Sequence, residues 1–293
     1  MPPLASFNPR SDTATFFLPD DRAGALETFA PGRGRAATPR PAAAISATIL
    51  TKNSERLLAD VLVALHWCDE VVILDTGSTD RTLAIAASFS NVCLHQLTGS
   101  FRGFGVAHQR LTSLARNDWI LSIDSDEIVS AELTEEIAAL PLDPRTVYVV
   151  PFENYLNGKH ITTCGWSPDR HGRLFNRTVT DFCASEVHER VRTDGVSVVR
   201  LRQSIRHYSY RSLEDFLRKM SAYAQLFARQ HAGKKRSSPA KAVARSGWAF
   251  FKSFVLERGF LQGNEGLVIS AYKSQTVFWK YLMLHEANRR PGG

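Results

Sequence analysis

Apolar strands alternate with helical segments from Ile45 to Asp124, and this alternation limits the possible fold more than any other feature of the chain. The strand-like runs are ISATILT, EVVILD, VCLHQL and DWILSID, at residues 45–51, 70–75, 92–97 and 118–124. Predicted helices separate them at residues 53–65, 79–89 and 105–115, the first capped by Asn53 or Ser54. Apolar strands separated by helices of about 10–15 residues predict a mostly parallel sheet covered on both faces.

The pattern changes after Pro141. Short alternating runs, TVYVVPF followed by GKHITTCGW and RLFNR, predict an antiparallel extension of the sheet. Further on, the apolar residues of SLEDFLRKMSAYAQLFARQH recur at helical spacing, and two more helices are predicted around residues 243–255 and 267–284. The sequence therefore predicts a sheet domain over residues 45–207 and a basic, amphipathic helical region over residues 208–293.

Residues 1–44 have a different composition from the rest of the chain. They hold seven of the thirteen prolines, are rich in Ala and Arg, and predict a disordered tail without the apolar segment of a secretory signal. No stretch approaches the roughly 18 uninterrupted apolar residues of a membrane-spanning helix. The four cysteines lack the spacing of a zinc site or a small disulfide framework. We therefore expect a cytoplasmic protein.

Charge is divided unequally along the chain. Residues 45–199 hold 13 Lys and Arg against 20 Asp and Glu, whereas residues 200–293 hold 18 against 5. The net charges of the two segments are thus −7 and +13, which predicts separate tasks for them. The acidic segment is suited to holding a cation, and the basic segment is suited to an anionic partner such as a nucleic acid, a phosphorylated substrate or a membrane surface.

The segment LDTGSTDRT follows the second predicted strand without a gap. Asp75 at the strand end can accept hydrogen bonds from a nucleobase or a ribose, and ligands of parallel sheets bind at these strand ends. The alternative is turn and cap chemistry alone, in which Gly77 permits the turn and Thr79 or Asp80 caps the next helix.

Three acids crowd the end of the fourth predicted strand, in the sequence Asp124-Ser125-Asp126-Glu127. In an extended chain Asp124 and Asp126 would point to the same side, and such a cluster needs a cation or strong donors to relieve its repulsion. Mg²⁺ or Mn²⁺ fits an oxygen ligand set of this kind. The alternative is that the acids only precede a helix that Ser130 opens together with Glu132.

Phosphate-binding loops of the common kinds are missing from the sequence. There is no GxxxxGK[ST] motif, and GFGVAH at residues 103–108 lacks the third glycine of a dinucleotide fingerprint. The sequence thus disfavours a P-loop NTPase or a Rossmann redox enzyme.

Four motifs in order resemble glycosyltransferase family 2, in particular the branch of bacterial lipopolysaccharide core β-1,4-glucosyltransferases. They are TILTKNSERLLADVLVALHWCDEVVILDTGSTDRT, DWILSIDSDE, CGWSPDRHGRLF and EVHERV. The resemblance covers about residues 45–286. It implies a GT-A-like nucleotide-diphospho-sugar transferase fold, a divalent metal cofactor and an inverting single displacement.

The resemblance also implies roles for individual residues. Thr51 and Asp75 match uridine-contacting positions, Asp124 a ribose or sugar contact, and Asp126 the metal ligand, with Glu127 as a neighbour on the donor side. A metal ion there would stabilise the leaving nucleotide as a Lewis acid. The remaining predicted nucleotide-sugar contacts are Asn53, Glu55 and Arg110.

An inverting transfer also needs a general base that deprotonates the acceptor hydroxyl. Glu189 of EVHERV is the first candidate, with His188 as its orienter or as an acceptor contact, and Asp169 of GWSPD is the second. Neighbouring arginines leave a surface salt bridge as the alternative for either acid. Trp166 is a candidate for stacking on an acceptor sugar, and hairpin packing is its alternative.

Two positions depart from the family pattern. Relatives carry a basic residue followed by Asn in the helix before DW, where this chain has His108 and Gln109, with Arg110 next. Relatives also carry Gly-Gly-Trp where this chain has Cys164-Gly165-Trp166. The diphosphate contact and the acceptor side are the parts of the predicted site that these departures affect.

The resemblance implies transfer of a hexose, glucose from UDP-glucose in the first place, to a lipopolysaccharide core or related lipid-linked glycan. That acceptor predicts a peripheral protein at the inner face of the bacterial cytoplasmic membrane, with the aromatic, Lys-rich helices at its surface. One alternative is a sister transferase that uses another sugar for capsule, O-antigen or protein glycosylation. A nucleic-acid-binding protein is the alternative of a different class; no nucleic-acid motif is present, so we expect no such partner.

Overall fold

The computed structural model describes residues 41–99, 101, 103–183, 190–210 and 213–289. The predicted tail therefore lies almost entirely outside the described residues. Two compact units make up the chain. The sheet unit comprises the residues up to Glu153 together with Asp169–Tyr208, and the helical unit comprises Asn154–Pro168 and the residues from Ser209 onward.

Ten strands and seven α-helices are formed by the described residues. The strands are β1 (Ile45–Thr51), β2 (Glu70–Asp75), β3 (Val92–Gln96), β4 (Trp119–Asp124), β5 (Glu127–Val129), β6 (Thr146–Leu156), β7 (Lys159–His160), β8 (Asp169–Asn176), β9 (Ser197–Arg200) and β10 (Ile205–Tyr210). The helices are α1 (Leu58–Ala64), α2 (Thr82–Ala87), α3 (Phe104–Leu114), α4 (Ala131–Ala138), α5 (Leu213–His231), α6 (Pro239–Phe251) and α7 (Asn264–Arg289).

The first four strands form the parallel half of the sheet, in the order β3-β2-β1-β4. Every residue of β1 is buried, because helices cover both faces of the sheet. Alternate side chains of β1 enter different cores: Ile49 packs with Leu58 of α1, whereas Leu50 packs with Leu111 of α3. The described ends of β1 and β2 coincide with the predicted ones, since the aliphatic residues of a buried strand form a continuous local signal in the sequence.

The second half of the sheet is mixed. β8 pairs antiparallel with β4 and β6, and β5 pairs antiparallel with β10, in the order β4-β8-β6-β10-β5. Ser130 accepts a hydrogen bond from the amide of Leu133 and so caps α4, as predicted. The predicted fold class, a GT-A-like α/β fold with a mostly parallel central sheet and a C-terminal helical region, is confirmed.

The helices that follow β1 and β2 begin about one turn later than predicted. Helix α1 begins at Leu58, because the side chains of Asn53 and Ser54 bond to distant residues instead of capping it. Helix α2 begins at Thr82 rather than Thr79. Of the two predicted caps, Asp80 does contact the first turn of α2: its Oδ1 accepts a hydrogen bond from the amide of Thr82 at 2.9 Å.

In the helical unit, α7 packs against both α5 and α6. The predicted apolar face of α5 is confirmed in part: Phe216, Met220 and Ala224 are buried, whereas Leu217, which the spacing placed on the same face, is 56% exposed. A π-helical turn, Lys252–Leu256, and a 3₁₀ turn, Gly259–Gln262, connect α6 to α7. None of the helices in the described ranges is long and apolar enough to cross a membrane.

The segment Asn154–Pro168 belongs to the helical unit, whereas the sequence placed it in the sheet domain. Leu156 and Ile161 of this segment share a buried apolar cluster with Phe216 and Ile269 of the helices. Polar contacts add to it: the amide of Cys164 donates to the carbonyl of Glu257 at 3.0 Å, and Lys159 pairs with Glu265 at 3.1 Å. The other predicted boundary, at residues 207/208, lies one residue from the junction of the two units at Tyr208.

Candidate active site

The carboxyl ends of β1, β2 and β4 bring the predicted donor residues together. Because β1 lies between the other two strands, its end is flanked by Asp75 on one side and Asp124 on the other. Thr51 is the register partner of Asp75, and Leu50 is the register partner of Asp124. This edge of a parallel sheet is where ligands of such folds bind.

Asp75 is buried and holds the loop that follows β2. Its Oδ2 accepts hydrogen bonds from the amides of Gly77 and Ser78, both at 2.9 Å, and its Oδ1 accepts from the Ser78 hydroxyl and, at 3.2 Å, from Thr51 Oγ1. Gly77 has a φ of 106°, which the turn requires and which favours glycine. Asp75 therefore has at least the turn role that the sequence offered as its alternative.

Asn53 and Glu55 tie the loop after β1 to the loop after β2. Asn53 Oδ1 accepts from the amide of Thr79 at 2.8 Å, and Glu55 Oε2 accepts from the amide of Arg81 at 3.1 Å. In the reverse direction the amide of Glu55 donates to Asp80 Oδ2 at 3.2 Å. The two residues thus fix the shape of the two loops.

Of the three acids at the end of β4 and just after it, Asp124 and Glu127 share one arginine as their partner. The sequence predicted an extended chain from Asp124 to Asp126, and this prediction is wrong: a two-residue turn separates β4 from β5. Arg173 of β8 donates through Nη2 to Asp124 Oδ2 at 3.0 Å and to Glu127 Oε1. Glu127 Oε2 also accepts from the amide of Asp124 at 2.9 Å. Asp126 has a different neighbour, His207 of β10.

The shared guanidinium gives the two acids opposite character. Burial acts to raise the pKa of Asp124, but the neighbouring Arg173 and His108 hold that pKa well below its usual range. For Glu127, burial raises the pKa well above its usual range, and the charges of Asp124 and Asp126 act in the same direction against Arg173. The pair behaves as one carboxylate and one carboxyl group that readily keeps its proton.

Asp126 is the predicted metal ligand, and its surroundings fit that role. The side chain is only 6% exposed, and Oδ1 has no hydrogen-bond partner in the described part of the chain. His207 of β10 places Nε2 3.7 Å from that oxygen. A buried carboxylate oxygen without a donor is unfavourable by about 1–3 kcal/mol or more unless a ligand satisfies it.

The described residues contain no cluster of three or more His, Cys, Asp and Glu side chains arranged to hold a metal ion. Asp126 and His207 are a pair, and so fall short of such a cluster. Mg²⁺ sites of this sparse kind typically use one or two carboxylates and fill the remaining positions with substrate phosphate and water.

His108 of α3 lies buried beside these acids. It stacks on Phe182 with ring centroids 4.5 Å apart, and its Nδ1 has no hydrogen-bond partner within the described ranges. Burial lowers the pKa of His108 to about 4, with Asp124 acting to raise it and Arg173 to lower it. The imidazole is therefore neutral at physiological pH.

We expect stability to fall between about pH 6.5 and pH 4 by roughly 3 kcal/mol on account of His108. The sign follows from the lowered pKa: the unfolded chain binds a proton in this window and the folded chain does not. Urea unfolding of wild type and His108→Gln across this range checks it. The variant should lack this part of the pH dependence, and parallel curves for the two proteins would contradict the assignment.

The other predicted residues are not all brought to this edge. Arg110 is exposed on α3, and no hydrogen bond or ion pair recorded for the described residues joins it to the strand-end acids. Asp169, one third exposed at the start of β8, pairs with His171 Nε2 at 2.8 Å. Trp166 lies in the helical unit, where it stacks on Tyr210 at 5.5 Å. Glu189 and His188 lie outside the described residues.

Three residues of the site were not predicted as members: Arg173, His207 and His108. The first two come from strands far along the chain. Arg173 stands within the motif CGWSPDRHGRLF, but the sequence assigned it no role, and no motif marks His207. His108 was noted in the sequence only as a departure from the family pattern. Its position on the same helix face as the buried apolar residues of α3 was the signal that could have indicated its burial.

Residues 46–190 match the model of the family described as Glycosyl transferase family 2. An uncharacterized glycosyltransferase of Rickettsia bellii (strain RML369-C) is 28% identical over 257 residues, covering 83% of this chain and 86% of the relative. The lipopolysaccharide core biosynthesis glycosyltransferase LpsC of Rhizobium meliloti (strain 1021) is 27% identical over 195 residues, covering 65% of this chain and 72% of the relative.

Among solved structures, the chain is similar to S. aureus TarS 1–349 in complex with UDP. The identity is 17% and the TM-score 0.41, with 82% of this chain and 90% of that chain covered. The family match and the named relatives agree with the ordered motifs of the sequence. The chain carries a glycosyltransferase family 2 domain over residues 46–190 and is a glycosyltransferase.

Proposed function

We propose that the protein is a metal-dependent, inverting hexosyltransferase that moves glucose from UDP-glucose to a lipopolysaccharide core or a related lipid-linked glycan. The observation that carries the donor half of this proposal is the strand-end edge itself. Asp75 and Asp124 end β2 and β4 there, and Asp126, two residues on, has a buried oxygen without a hydrogen-bond donor among the described residues. The acceptor half rests on the sequence resemblance and on the similarity to LpsC.

Asp126 and His207 would hold the divalent ion, Mg²⁺ or Mn²⁺. When bound, such an ion supplies Lewis-acid stabilisation of charge on the departing diphosphate. The chain's own residues set the rest of the donor site: Arg173 keeps Asp124 ionised and correctly oriented. Thr51 and Asp75 support uridine binding through the loops that they hold in place.

Glu189 is the proposed general base, with His188 as its orienter, and Asp169 is the second candidate. Asp169 already has an imidazole partner in His171, 2.8 Å away, which engages its carboxylate. Trp166 and its stacked partner Tyr210 form an aromatic pair in the helical unit that suits a sugar ring.

We expect Glu189→Gln to lower kcat by roughly 10²–10⁴-fold, because a positioned base contributes that much to proton transfer. Asp169→Asn should lower it much less. Single-turnover transfer assays with each variant, at saturating UDP-glucose, separate the two assignments. If Asp169→Asn shows the larger loss, the base is Asp169 and the first assignment is wrong.

The proposal is tested by incubating the protein with UDP-glucose, Mn²⁺ and a lipid-linked core acceptor and following the product by proton NMR. A new β-glucosidic signal is expected, since an inverting displacement turns the α-linked donor into a β-linked product. Other UDP-sugars in parallel reactions test the sister-transferase alternative. Turnover of another donor with none of UDP-glucose would overturn the assignment of the sugar.

The protein would act as a peripheral protein at the inner face of the cytoplasmic membrane, where a lipid-linked acceptor and a cytoplasmic nucleotide sugar meet. The strongly basic segment after residue 200 supports this placement through attraction to anionic lipids. A nucleic-acid-binding role predicts instead a steeply salt-dependent affinity for DNA or RNA, which a gel shift measures.

A further inference from the structure

Helix α6 lies at the periphery of the helical unit. Of its 13 residues only Ala242 is buried, so the other side chains are at least partly accessible. An outlying helix of a water-soluble domain usually turns polar residues outward. The outward residues of α6 do not follow that rule.

An apolar stripe runs along the accessible side of α6. Ala244, Trp248 and Phe251 recur at spacings of four and three residues, which places them on one side of the helix, and Val255 follows four residues later in the π-helical turn. Trp248 is 59% exposed and Phe251 is 44% exposed. The stripe continues past the helix end in Leu256, Phe260 and Leu261, which are all exposed.

The exposed large hydrophobic side chains are concentrated in one stretch of the chain. Seven of the fifteen large hydrophobic side chains that are exposed in the described part of the chain lie between Val243 and Leu261. Scattered exposed hydrophobic residues need no explanation, but a contiguous patch marks an interaction surface. We call the patch formed by Trp248, Phe251, Val255, Leu256, Phe260 and Leu261 the α6 face.

Basic residues border the α6 face. Lys241, Arg245 and Lys252 form a second stripe at helical spacing beside the apolar one. Between Pro239 and Gln262 the only acid is Glu257, which is paired with Lys252 at 3.6 Å and Lys273 at 2.9 Å. Lys241 and Arg245 also lie over the ring of Tyr281 in α7, at 5.7 and 5.0 Å from its centroid. The face therefore has a basic border beside aromatic rings, and its one acid is paired.

We propose that the α6 face is an in-plane docking surface for a bilayer rich in anionic phospholipid. Aromatic and aliphatic side chains beside a basic stripe are the composition of helices that lie in the headgroup region. Trp248 and Phe251 would enter the interface, with Arg245 and Lys252 at the phosphates. The inference rests on the proposed function, which requires an acceptor held in a membrane.

A second copy of the chain is a less suitable occupant. A two-fold contact through the same patch would place each basic stripe near its own copy, and like charges brought together oppose association. An anionic bilayer has the opposite charge over its whole surface, so it satisfies the apolar and basic stripes together.

Vesicle flotation of the full chain tests the docking surface. We expect wild type to float with vesicles of phosphatidylcholine and phosphatidylglycerol and to be released by high salt, and to bind poorly to phosphatidylcholine alone. The double variant Trp248→Glu with Phe251→Glu should bind roughly a hundredfold more weakly, since each buried aromatic side chain contributes about tenfold or more. Leu217→Glu is the matched control, because Leu217 is 56% exposed on α5, outside the α6 face.

Three results would overturn the inference. They are a wild-type protein that does not float with anionic vesicles, a double variant that floats as wild type does, and equal binding to neutral vesicles at every salt concentration. A wild-type dimer in sedimentation that the double variant converts to a monomer, without vesicle binding, would assign the face to a second copy instead.

The same proteins separate this inference from the proposed function. Hydrolysis of UDP-glucose in the absence of lipid should be unchanged in the double variant, since the α6 face belongs to the helical unit and the donor residues belong to the sheet unit. Intact vesicle binding without any donor turnover would contradict the proposed function and leave the docking surface standing. Donor turnover without vesicle binding would do the reverse.

Discussion

Asp126→Asn should lower sugar transfer by roughly 10²–10³-fold and leave the melting temperature unchanged or higher. The loss follows from the proposed metal-binding role, because a bound metal ion supplies several kcal/mol of charge stabilisation. The stability follows from the local charges: Asp126 is buried close to Glu127 and has an oxygen without a hydrogen-bond donor. A neutral amide removes one negative charge from this cluster. Initial rates and thermal melts of the same preparations measure both effects.

Asp118→Asn is the matched control for this variant. Asp118 is 60% exposed and pairs with Arg177 at 3.6 Å, away from the acid cluster. Both the rate and the melting temperature should stay close to those of wild type, since exposed ion pairs contribute little. Wild-type transfer by Asp126→Asn would remove the metal assignment.

Arg173→Met should be the most destabilising single substitution in the sheet unit that we predict, at about 3–5 kcal/mol. The side chain is 8% exposed and bonds to both Asp124 and Glu127. Methionine fills a similar volume but leaves two acids buried without their shared cation. The free energy of unfolding in urea, monitored by the fluorescence of the sheet unit, gives the size of the loss.

Two companion variants show whether the loss is electrostatic. Arg177→Met removes an arginine of the same strand region that is 25% exposed, and should cost less than about 1 kcal/mol. Adding Glu127→Gln to Arg173→Met should restore part of the lost stability, because one of the two unpaired carboxyl groups is then gone. Equal losses for the two arginine variants would show that Arg173 acts by packing alone.

The strands of the parallel half were predictable because their signal is local. β1 and β2 are buried from end to end and rich in β-branched and aliphatic residues, and the acids that end β2 and β4 stand out against those runs. The edge that gathers Asp75 and Asp124 then follows from the general rule for parallel sheets. This is why the edge that gathers Asp75 and Asp124 could be predicted without a structure.

The partners of those acids were not predictable, because they come from distant strands. Arg173 is 46 residues from Glu127 and 49 from Asp124, and it lies in an ordinary antiparallel strand. His207 reaches Asp126 only because β10 pairs with β5. Neither contact leaves a periodic or spaced pattern in the sequence.

The wrong helix caps have a similar cause. Asn53 and Ser54 are good capping residues by type, but their hydrogen bonds go to Thr79 and Ser125 across the strand ends. The choice between a local cap and a distant partner is made by tertiary structure. Polar residues that can either cap a helix or bond to a distant loop are therefore poor markers of a helix start at the carboxyl end of a strand.

The central claim, a donor site for a UDP-sugar and a divalent ion at the ends of β1, β2 and β4, is tested most directly by thermal shift with UDP-glucose. At a ligand concentration a hundredfold above Kd, binding to the native state stabilises it by about 2.7 kcal/mol. We predict that UDP-glucose raises the melting temperature of wild type with Mn²⁺ present, raises it less without Mn²⁺, and loses the Mn²⁺-dependent part in Asp126→Asn. An unchanged melting temperature with every UDP-sugar, with and without Mn²⁺, would contradict the account.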